Sequence, residues 1–72
     1  MRQFEFNLAL SAEKVASIYQ GQARYILAES DDGLKLQLPA ANFRSFVTDD
    51  GIHGRFAVNI DADNKIQALR KI

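Results

Sequence analysis

Phe4-Glu5-Phe6-Asn7-Leu8-Ala9-Leu10 puts an apolar side chain at every even position, with Glu5 and Asn7 between them. This is the period of two expected of a β-strand with one buried face. Ser11 then offers an N-cap oxygen, Glu13 sits where the helix dipole favours an anion, and Ala12, Val15, Ala16 and Tyr19 recur at helical spacing before Gly21. The spacing predicts a short helix from Ala12 to about Gln20. A strand running directly into a helix sets the chain up as mixed α and β.

Downstream, Ala23-Arg24-Tyr25-Ile26-Leu27-Ala28 is aromatic and β-branched enough for a strand. Tyr25 and Leu27 are expected as its buried pair, with Ile26 facing the other way. Asp31-Asp32-Gly33 leads into the strict alternation Leu34-Lys35-Leu36-Gln37-Leu38, and Asp-Gly favours a tight turn, so a hairpin spans Ala23 to Leu38. Pro39 suits the first turn of a helix, and Ala40, Phe43, Phe46 and Val47 predict a short helix or 3₁₀ segment. Thr48-Asp49-Asp50-Gly51 stops it, and Arg55 to Asp61 alternates again with Phe56, Val58 and Ile60 on one face. Asp61-Ala62-Asp63-Asn64 makes the next turn, Asn64 being tolerant of positive φ. In Lys65 to Ile72 the apolar residues Ile66, Leu69 and Ile72 stand three apart, which predicts a strand carrying a bulge.

The expected fold class is α+β, ordered β-α-β-β-(short helix)-β-β, with a strongly bent, mostly antiparallel five-stranded sheet or partly open barrel. Five strands make a sheet about 20 Å wide, whereas a nine-residue helix is about 14 Å long and 10 Å across. One such helix leaves much of the apolar face uncovered. The short helix, curling of the sheet or a second subunit must cover the rest.

The 72 residues are 47% apolar and 25% charged, which suits one folded domain, residues 1–72, and excludes disorder and a membrane span. The absence of cysteine removes disulfides, zinc thiolate sites and thiol catalysis together. A small chain without staples either packs unusually well or borrows surface from a partner. Nine basic residues balance nine acidic ones, so nothing in the net charge draws the chain to nucleic acid or an anionic membrane. The N-terminus lacks the continuous apolar run of a secretory signal, so a cytoplasmic location is expected.

The motif that invites chemistry is Gly51-Ile52-His53-Gly54-Arg55. Two glycines beside His53 and Arg55 could expose backbone amides to a phosphate or carboxylate. Equally, Gly51 could supply positive φ at a turn and Gly54 a bulge or close backbone approach. His53 is the only histidine, and none of Ser11, Ser17, Ser30 and Ser45 sits in a nucleophile turn, so no catalysis is expected. The pairs Asp31-Asp32, Asp49-Asp50 and Asp61-x-Asp63 lack the pattern of an EF-hand loop and read as turn chemistry, so no metal or other cofactor is expected. Arg24, Arg44, Arg55, Arg70 and Lys71 could converge on a single-strand nucleic-acid surface, or simply be a solvated, mixed-sign exterior. Arg44 has a local alternative, pairing with Asp49 or Asp50 or holding the terminal carbonyls of the short helix.

Tyr19-Gln20-Gly21-Gln22-Ala23, Asp32-Gly33, Leu38-Pro39 through Arg44-Ser45-Phe46, and above all Thr48-Asp49-Asp50-Gly51-Ile52-His53-Gly54-Arg55-Phe56 resemble the bacterial DUF2835 family over essentially the whole chain. Phe43-Arg44-Ser45-Phe46 stands where the resemblance implies Leu-Arg-Pro-Phe, leaving the short helix less rigidly ended. The resemblance implies no activity. The sequence therefore points to a small non-catalytic binding or protein-interaction module, able to self-associate, that uses a sheet edge or uncovered apolar patch. The alternative is a nucleic-acid-binding β-domain using Arg44 and Arg55. Candidate binding residues are Arg44, Gly51, His53, Gly54 and Arg55.

Overall fold

The alternation at the N-terminus becomes β1, Arg2–Leu10, with Phe4, Phe6 and Leu8 buried. The computed structural model describes residues 2–22 and 24–72, without the Gln22 side chain. Ser11 caps helix α1, Ala12–Ser17: its Oγ accepts from Lys14 N–H at 3.2 Å. A wide π-type turn over Ile18–Gln22 continues the helix, and Gly21 ends it at φ 89°. β2 is Tyr25–Glu29 and β3 is Lys35–Pro39. A 3₁₀ helix follows over Ala40–Phe46, then β4 over Ile52–Ile60 and β5 over Ile66–Lys71. Ala23, the anticipated start of the second strand, lies outside the described residues.

The fold is α+β, and among the described residues five strands form two antiparallel sheets, β1-β4-β5 and β2-β3. This corrects the expectation of one bent sheet. Among the described residues one bridge, Phe6 to Ser30, links the backbones of the two sheets, and beside it Asp31 N–H donates to Glu5 O at 2.9 Å. The β2-β3 hairpin thus joins the helical segments as cover for the larger sheet. Its Ile26, Ala28, Leu36 and Leu38 share one buried cluster with Phe4, Phe6, Phe56 and Val58. Phe6, Phe43 and Phe56 are wholly buried, their ring centroids 5.7–6.4 Å apart.

Three local expectations change. Ile26 and Ala28 are the buried residues of β2, while Tyr25 and Leu27 face outward. The hairpin register explains this, since Ile26 lies opposite Leu38 and Ala28 opposite Leu36, and opposed residues share a face. β4 starts at Ile52 rather than Arg55 because β1 pairs along its full length, from Arg2 opposite Ile60 to Leu10 opposite Ile52. Pro39 closes β3 rather than entering the helix. The last strand does carry the bulge its spacing implies: Asn59 opposes Ala68 and Ile60 opposes Ile66, leaving Gln67 as the extra residue. Asn64 takes φ 63° in the preceding turn.

Candidate functional site

Alternation along β4 turns Arg55 to the outer face of the larger sheet, opposite Asn7 on β1. Its guanidinium donates to Glu5 Oε1 at 3.1 Å and to both carboxylate oxygens of Asp31 in the β2-β3 turn. One side chain therefore ties β4, β1 and the second sheet together beside the Phe6–Ser30 bridge. The hydrogen bond from Arg55 holds the Asp31 carboxyl below the usual aspartate range, against the opposing effect of desolvation. Asp61 is held low as well, mainly by the Lys65 backbone N–H, with further donation from Asp63 N–H and the Gln67 side chain.

A carboxyl whose folded pKa is depressed stabilises the fold above its unfolded pKa and loses that contribution as pH falls through the folded value. Asp31→Asn is therefore expected to lower the urea midpoint at pH 6. The difference from the parent should shrink as pH drops below about 4, the ordinary aspartate value, and disappear once the parent carboxyl is protonated. An equal deficit at all pH values would contradict the assignment.

The groups of the glycine motif are each engaged within the chain. Gly51 N–H donates to Thr48 O at 3.0 Å and Thr48 N–H to Gly51 O at 2.8 Å, closing the turn. Gly51 is buried at φ 105°, against the peptide that joins β1 to α1. The exposed His53 ring donates through Nε2 to Asp50 O at 2.7 Å. No serine oxygen bonds this ring among the described residues. Gly54, at φ 141°, lies beneath the Lys71 side chain. Gly51 closes the turn, His53 leans back onto it from β4, and Arg55 is held by carboxylates.

Arg44 stands apart from them. Its guanidinium lies over the Tyr19 ring, 5.1 Å from the centroid, rather than pairing with Asp49 or Asp50. Tyr19 Oη donates to Ala40 O, and burial pushes the phenol above its ordinary pKa while Arg44 opposes the shift. Arg44 and Tyr19 line a groove of about 440 Å³ between α1 and the end of the 3₁₀ helix, together with Ala12, Val15, Ala16, Val47 and Thr48. Arg55 lines no part of that groove. Among the described residues there is no cluster of three metal-ligating side chains and no helix long and apolar enough to cross a membrane.

The surface that sequence reasoning missed is the outer side of β2. Ser30 N–H donates to Leu34 O at 2.8 Å and Ala40 N–H to Arg24 O at 2.9 Å, so the even-numbered residues of this strand bond toward β3. In an antiparallel ladder the intervening residues then point their N–H and C=O groups the opposite way. Beyond the bridge at Ser30, β2 has no second ladder among the described residues. The edge at Tyr25 and Leu27 is open, and these side chains are 49% and 73% exposed. Beside it runs a groove of about 360 Å³ lined by Leu10, Lys14, Ile18, Tyr25, Ile26 and Leu27. The parity of the hairpin was the signal that could have found it.

A family described as a protein of unknown function, DUF2835, matches residues 2–72. No curated protein and no solved structure matches the chain.

Proposed function

Since this chain belongs to the DUF2835 family, whose description assigns no activity, we propose from its own surface that it is a non-catalytic protein-interaction module. It acts by adding an extended strand to the free edge of β2. The observation that carries this reading is the coincidence, at Tyr25 and Leu27, of unpaired backbone groups with two large exposed apolar side chains. An edge of this kind is a template for strand addition unless it is blunted. β5, by contrast, carries a bulge together with Arg70 and Lys71, devices that discourage pairing.

The occupant that fits is the same strand of a second copy. Two β2 strands paired antiparallel about Ile26 set Tyr25 of each copy against Leu27 of the other, clear of the bridge at Ser30. They also bring the Arg24 end of each strand toward the Glu29 end of its mate. The patch is thus self-complementary in charge and direction, as a two-fold interface requires. The adjacent groove receives side chains of the added strand.

Sedimentation equilibrium over a concentration series should show a monomer–dimer equilibrium with a dissociation constant on the order of 0.1 mM, as suits a small interface. Leu27→Lys should weaken it about tenfold or more by placing a charge beside the centre of the pair. Leu27→Pro removes the outward N–H while leaving the even-numbered bonds to β3, and should have the same effect. A monomer up to the solubility limit, or a dimer untouched by both substitutions, overturns the proposal.

A further inference from the structure

Arg24 and Arg44 are not engaged as Arg55 is: every ion pair among the described residues belongs to Arg55. Both line a groove of about 260 Å³ with Tyr19, Ile18, Ala40 and Ala41. The Arg24 carbonyl accepts from Ala40 N–H at 2.9 Å, which fixes Arg24 beside the start of the 3₁₀ helix that carries Arg44. Tyr19 and Arg44 also line the larger apolar groove along α1. The two grooves therefore adjoin at this stacked pair. One end offers two guanidinium groups, and the other offers Val15, Ala16 and Val47. Among the described residues, no carboxylate lines either groove. Like charges gathered without a counter-ion favour an anion, and guanidinium matches carboxylate or phosphate through paired hydrogen bonds. The apolar end adds burial of a hydrocarbon chain.

We propose that this composite groove binds a soluble amphiphilic anion, an aliphatic chain ending in a carboxylate or phosphate. Arg24 and Arg44 hold the head group, and the α1 side of the groove holds the chain. The site meets the β2 edge at Arg24 and Ile18, but Arg44 and the α1 side of the groove lie outside that edge, and binding does not require strand addition.

The test is a ¹H–¹⁵N NMR titration with decanoate and decyl phosphate, each below its micelle concentration, alongside decanol and inorganic phosphate. Both anionic amphiphiles should shift Val15, Tyr19 and Val47 together and bind about tenfold or more tightly than decanol or phosphate. Arg24→Ala and Arg44→Ala, both at exposed positions, should each weaken decanoate binding about tenfold and leave decanol unchanged. Val47→Asp should weaken decanoate binding by a comparable factor. Arg70→Ala, on the outer face of β5, should do nothing. Three results would overturn the proposal: decanol binding as tightly as decanoate, Arg70→Ala costing as much as Arg44→Ala, or adsorption to phosphatidylglycerol vesicles with no binding of the free amphiphiles.

Discussion

Gly51→Ala is expected to lose about 3–5 kcal/mol of stability, among the largest effects of any single methyl in this chain. A Cβ at this position would lie 1.9 Å from Leu10 O, 2.7 Å from Ser11 C and 2.9 Å from Ala12 N. All three atoms belong to the backbone that turns from β1 into α1, so no rotamer change relieves the clash. The backbone also sits at φ 105°, where a side chain is strained whatever the space. The Thr48–Gly51 turn would have to move away from the corner, taking with it the N-terminus of α1 and one wall of the larger groove. Gly33 provides the control. It has positive φ, 84°, but nothing within 4 Å of a Cβ, so Gly33→Ala should cost only the conformational strain, about 1–2 kcal/mol. Urea denaturation followed by circular dichroism checks both, and equal losses would contradict the packing account.

Phe56→Ala should be comparably severe. The Phe56 ring lies 5.9 Å from Phe6, 5.7 Å from Phe43 and 5.2 Å from Phe46, centroid to centroid, so one side chain joins β1, β4 and the 3₁₀ helix. Truncating a wholly buried phenylalanine costs about 3–5 kcal/mol through lost transfer energy and the cavity left behind. A 72-residue domain has only about 4–11 kcal/mol in total at typical per-residue stability. The variant is therefore expected to be substantially unfolded at 37 °C, with loss of upfield-shifted methyl resonances. Phe56→Leu, which keeps most of the volume, should remain folded with a lowered midpoint. A fully cooperative, near-parental transition for Phe56→Ala would show that the ring cluster is not the centre of the core.

Elements governed by local chemistry were legible in the sequence. The alternation of β1, the Ser11 cap, the short helix after Pro39, the left-handed Asn64 and the bulged last strand each follow from residues within a few positions of one another. The differences lie where partners decide, as in the start of β4 at Ile52 opposite Leu10. Tyr25 and Leu27 form as good an apolar pair as Ile26 and Ala28, and only the register against Leu36 and Leu38 selects the buried set. The division into two sheets likewise depends on the Phe6–Ser30 bridge, a contact far apart in sequence. Among the candidate residues, Arg55 reads from sequence as a free cation. Glu5 and Asp31, distant along the chain, occupy it in the fold. Gly51 could be read as a turn residue, but its contact with the Leu10–Ala12 corner could not.

Strand addition requires that the outward amides of β2 be unpaired within one molecule and become paired between two. Residue-resolved hydrogen exchange of Tyr25 and Leu27, measured at dilute and concentrated protein, addresses this directly. Fast exchange of both amides in dilute solution, slowing with concentration while Ile26 and Ala28 stay protected throughout, is the predicted result. Protection of Tyr25 and Leu27 at every dilution, or equally rapid exchange at every concentration, would contradict it.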